Sequence, residues 1–68
     1  MNKKHANPLE ELHVQLEAFR KAGTIGEYTV ITLDGRLLRV TRGEKAPDDL
    51  RGFLLTAMAG VINRVEVA

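Results

Sequence analysis

The stretch EYTVITLDGRLLRVT, residues 27–41, sets two β-rich runs on either side of Asp34-Gly35. Asp-Gly accepts the positive φ angles of a two-residue type I′ turn, so the segment reads as a β-hairpin. With a two-residue loop, Leu33 faces Arg36, Ile31 faces Leu38 and Thr29 faces Val40. Strand alternation then gives one face to Ile31, Leu33, Leu38 and Val40, which reads as the core face. The other face would hold Tyr28, Val30 and Leu37 among Thr32, Arg39 and Thr41, more apolar than a solvated face requires.

Toward the N-terminus, residues 1–6 read as a weakly basic tail and 7–68 as a single domain. Asn7 suits an N-cap, Pro8 the first helical position and Glu10 the acid of a capping box. Leu9, Leu12, Leu16 and Phe19 recur at helical spacing, Arg20 and Lys21 complement the dipole at the far end, and Gly23 supplies the stop. This predicts a helix over 8–22. Toward the C-terminus, 43–47 read as a loop and a second helix is expected from about Asp48 to Ile62, with Asp48 and Asp49 at its electropositive start. The tail RVEVA alternates and is a candidate short third strand. The fold class that follows is α+β, a small two-helix domain with a hairpin in the order α-β-β-α, with that strand as a possible addition.

Within the second helix, GFLLTAMAGVIN (52–63) runs without a charge in a chain that is 28% charged. Apolar side chains would cover more than half of its circumference, and leaving each large one wet forfeits about 1.5–3 kcal/mol. One reading buries it as a central helix under the tail and loop. The favoured one covers it with a second copy or a partner, because 68 residues cannot wrap it easily and no cysteine is present to staple the fold. The expected interface comprises Tyr28, Val30 and Leu37 on the outer sheet face, with Gly52, Thr56, Ala59, Gly60 and Asn63 on the small-residue side of the helix.

Chemistry-bearing patterns are sparse. Serine and cysteine are both absent, which removes the common nucleophile arrangements. Glu10, His13 and Glu17 share part of the first helix, but a metal site needs further ligands, and no metal is expected. Asp48 and Asp49 diverge by about 100° on a helix start and read as dipole partners rather than an acid/base pair. Six glycines stand singly, without a phosphate-cradling loop. No cofactor, apolar leader or membrane span is expected, and a cytoplasmic location follows as an expectation.

The basic residues Arg36, Arg39, Arg42 and Lys45 gather around the hairpin. The helix followed by GTIGEYTVITLDGRLLRVTRG resembles the recognition helix and wing of a winged-helix domain, which implies nucleic-acid contacts by those four residues. The match covers about Leu9 to Gly43 and departs from the family in two ways: only seven residues precede the helix, and the helix bears acids where a groove-reading helix carries Arg, Asn or Gln. Ten basic against nine acidic residues, a net charge of +1, leave little field for a polyanion. The preferred reading is therefore a small non-enzymatic binding or regulatory protein of a bacterial or phage-like kind. It would act through a protein surface, as a homodimer and with another protein. A nucleic-acid regulator and an enzyme with a site assembled across a dimer cleft are the alternatives.

Overall fold

The computed structural model describes residues 8–31 and 36–68. Five elements follow in the order α1 (Pro8–Ala22), β1 (Ile25–Ile31), β2 (Leu37–Arg42), α2 (Leu50–Ala57) and β3 (Arg64–Val67). This is the expected small α+β domain, and the RVEVA tail does supply a third strand. β2 is central, antiparallel to β1 and parallel to β3. The hairpin is thus part of a three-stranded sheet. The tail 1–6, the Asn7 cap, the Leu9 side chain, Leu33 and the Asp34-Gly35 turn lie outside the described residues.

Helix α1 has the predicted bounds. Leu12 and Leu16 are buried and Phe19 packs against the core. At its end Gly23 takes a φ of 87°, donates its N–H to the Arg20 carbonyl, and is followed by Thr24 donating to the Phe19 carbonyl. That pair of bonds is a Schellman cap, which needs the left-handed residue glycine supplies.

The hairpin register differs from expectation by one residue. Tyr28 pairs with Val40, Val30 with Leu38 and Ile31 with Leu37. Because the side-chain period is two, β1 turns over from Tyr28 onward. Tyr28 and Val30, expected outside, pack with Leu38 and Val40 against the core, while Ile31, expected inside, joins Leu37 on the opposite face. Two features mislead the pattern. Val30-Ile31 and Leu37-Leu38 are adjacent apolar pairs, so either parity looks plausible. A bulge between Ile25 and Tyr28 also lets both face the core, which strict alternation forbids. Gly26 sits at that bulge because a Cβ there would lie 2.5 Å from the Thr41 hydroxyl, which accepts the Glu27 N–H at 2.7 Å.

Helix α2 is shorter than expected, Leu50–Ala57 rather than Asp48–Ile62. Asp49 is its N-cap and accepts the Gly52 N–H at 3.1 Å; a Cβ on Gly52 would collide with that carboxylate. Residues 58–61 form a turn, and Gly60 adopts a φ of 92° so that the chain can swing back to lay β3 beside β2. Met58 and Ile62 remain buried with Leu50 and Leu54. Their spacing of four extended the helical pattern past the helix. The expected small-residue side of the helix, Gly52, Thr56, Ala59, Gly60 and Asn63, is therefore not one helical face, since Ala59, Gly60 and Asn63 lie beyond the helix.

Both helices pack on one sheet face, as their shared cluster of Leu12, Leu16, Leu38, Val40, Leu50, Leu54 and Val65 requires. The other face carries Thr29, Arg39, Arg64 and Glu66, alongside Ile31 and Leu37.

Candidate functional site

The outward surface of α2 comes from residues the core does not use. With Leu50 and Leu54 turned inward, a rotation of about 100° per residue points Gly52 and Thr56 away from the sheet. Thr56, Ala57, Ala59, Gly60 and Asn63 are exposed and Phe53 is 42% exposed. None of these is ionisable, and the one charge that α2 itself carries is the exposed Arg51. Phe53 meets Phe19 of α1 edge to face, ring centroids 5.5 Å apart, which joins the two helices along one seam.

Farther along that seam lies an open groove of about 560 Å³, lined by Glu10, Glu11, Leu12, Val14 and Gln15 of α1 and by Ala57, Met58, Ala59 and Val61. Val14 is 71% exposed, off the Leu12–Leu16–Phe19 stripe. The sequence reading missed the groove. An apolar residue on the wrong side of α1 was its one available sign, and nothing in the sequence shows that the turn after α2 comes to rest opposite it.

The other expected interface residues are dispersed. Tyr28 is half-buried on the core side, and its hydroxyl donates to Glu17 at 2.7 Å. Val30 packs on the core, Leu37 is buried on the opposite face, and Gly52 is engaged by the Asp49 cap. The exposed Asn63 donates its N–H to the Arg36 carbonyl.

The four candidate nucleic-acid contacts are exposed, but three hold internal partners. Arg36, at a φ of 44°, donates through Nη1 to the Gly60 carbonyl at 3.0 Å. Together with Asn63 it clasps the start of β2 to the turn before β3. Arg39 pairs with Glu66 at 3.0 Å, a carboxylate that also meets Arg64 at 3.6 Å. Arg42 donates to the Pro47 carbonyl, and the Lys45 stem lies beside Gly23.

A separate polar cluster links α1 to β1. Arg20 grips Glu17 with two hydrogen bonds, at 2.7 and 3.2 Å, while Tyr28 donates to the same carboxylate and its ring lies 6.0 Å from that of His13. The Arg20 guanidinium, then the Tyr28 hydroxyl, hold the Glu17 carboxyl down to about 2. The same bond to a carboxylate pushes the Tyr28 phenol up. Among the described residues no three His, Asp or Glu side chains gather as a metal would need, and no helix is long and apolar enough to cross a membrane. Compared with protein-family models, curated proteins and solved structures, the chain matches none.

Proposed function

We propose that this chain is a small, cytoplasmic, non-enzymatic binding protein that acts through its helical face, and that it works as a homodimer joined by the outer surface of α2. The observation that carries the reading is the exposed surface of Phe53, Thr56 and Gly60, beside a helix whose single charge is Arg51, in a chain that is 28% charged. Depletion of charge is what distinguishes the centre of a protein interface from the remaining surface. Gly52 and Thr56 are small, so a second α2 can approach closely about a two-fold axis, the commonest symmetry of soluble oligomers. The nucleic-acid alternative draws less support, because Arg36, Arg39 and Arg42 direct donors at Gly60, Glu66 and Pro47.

Thr56→Arg tests the reading. Arginine is a good helix former and Thr56 points outward, so the variant should keep its fold while its self-association is lost. Unaltered association would remove α2 from the contact. Submicromolar, salt-sensitive binding to mixed DNA or RNA, lost on charge reversal at Arg39 and Arg42, would promote the nucleic-acid reading instead.

A further inference from the structure

We infer that the groove between α1 and the turn after α2 receives a cationic amphipathic helix of another protein. The inference rests on the protein-binding reading and gives it a partner chemistry. The floor and walls are apolar, formed by Val14, Ala57, Met58 and Val61, and the rim carries Glu10 and Glu11, with no lysine or arginine among the described residues that line it. Such a groove rewards an occupant whose apolar anchors recur at i, i+3 or i+4 and i+7, flanked by Lys or Arg. Among the described residues no strand contributes to the lining, so an extended peptide finds no sheet edge to join there. The open shape, without convergent polar donors, suits a side-chain row better than an enclosed small molecule.

Charge also separates this site from the self-association surface. Two grooves facing each other across a two-fold axis would bring the glutamates of both copies together, and like charges in apposition are penalised. The groove is therefore free for a different chain while the Gly52–Thr56 side of α2 meets its own copy.

Two fluorescent helical peptides of equal length and identical leucine pattern, one with lysines and one with glutamates at the polar positions, test this against the intact protein. The lysine peptide should bind at least about tenfold more tightly at low salt, with the difference shrinking as salt screens the rim. Methyl resonances of Val14, Ala57 and Val61 should shift on binding. Glu10→Lys combined with Glu11→Lys should invert the preference between the peptides. Val14→Gln, at a position exposed enough to leave the fold intact, should weaken both. Equal binding of the two peptides, shifts that map elsewhere, or no binding would each overturn the inference. If the peptides fail while Thr56→Arg still dissociates the protein, the protein-binding reading survives without this partner; if both fail, neither stands.

Discussion

Glu17 shows how one carboxylate can tie a helix to a strand. Its ionised form is favoured in the folded chain, first by Arg20 and then by Tyr28, which hold it at about 2 against an ordinary value of 4.5. The sign follows from that direction: the contribution is complete above 4.5 and is lost as the pH falls from there through about 2. Glu17→Gln should flatten acid denaturation within that window, and a denaturant series at stepped pH would show it. Tyr28 is the sole tyrosine, so ultraviolet titration reads it directly. Its ionisation should lie above the ordinary value and fall back in Glu17→Gln. A titration unchanged by that substitution would mean that the bond does not persist in solution. Two glycines make a second contrast at this scale. A Cβ at Gly43 would collide with the backbone carbonyl of Gly23, whereas one at Gly60 meets nothing within 4 Å and suffers only from the positive φ. Gly60→Ala should cost about 1–2 kcal/mol. Gly43→Ala should cost more in a urea melt, because a backbone neighbour cannot step aside.

At the scale of elements, the register of β1 is the feature to challenge. Thr29 is exposed beside Arg39, and Val30 packs over the core beside Leu38. Thr29→Lys should therefore change stability by no more than about 0.5 kcal/mol, while Val30→Lys should leave most of the chain unfolded. The opposite ranking would restore the two-residue loop. For α2, which has eight residues, Asp49→Ala should cost about 0.5–2 kcal/mol through loss of the cap. The contrast between these elements shows what was legible in the sequence. Helix α1 was readable to its ends because Pro8 and Gly23 act locally, and the third strand because Val65 and Val67 alternate. Register was not readable, because adjacent apolar pairs satisfy both parities and the bulge at Gly26-Glu27 depends on Thr41 from another strand. The end of α2 was hidden because Met58 and Ile62 keep a helical spacing while the chain between them turns.

Across the whole molecule, the one-sided arrangement of two helices on a three-stranded sheet explains the chargeless segment only in part. Leu50, Leu54, Met58 and Ile62 are absorbed by the core; Phe53, Thr56, Ala57 and Ala59 are not. The groove that Ala57 and Ala59 help to line was beyond the sequence because it joins α1 to a turn more than forty residues later, a juxtaposition that exists only once β3 has docked on β2. Association through the remaining surface of α2 is the central claim, and sedimentation equilibrium at micromolar concentration tests it most directly. The account predicts a mass of twice the 7.5 kDa chain for the native protein and of a single folded chain for Thr56→Arg. A native protein that sediments as a 7.5 kDa monomer throughout would contradict it.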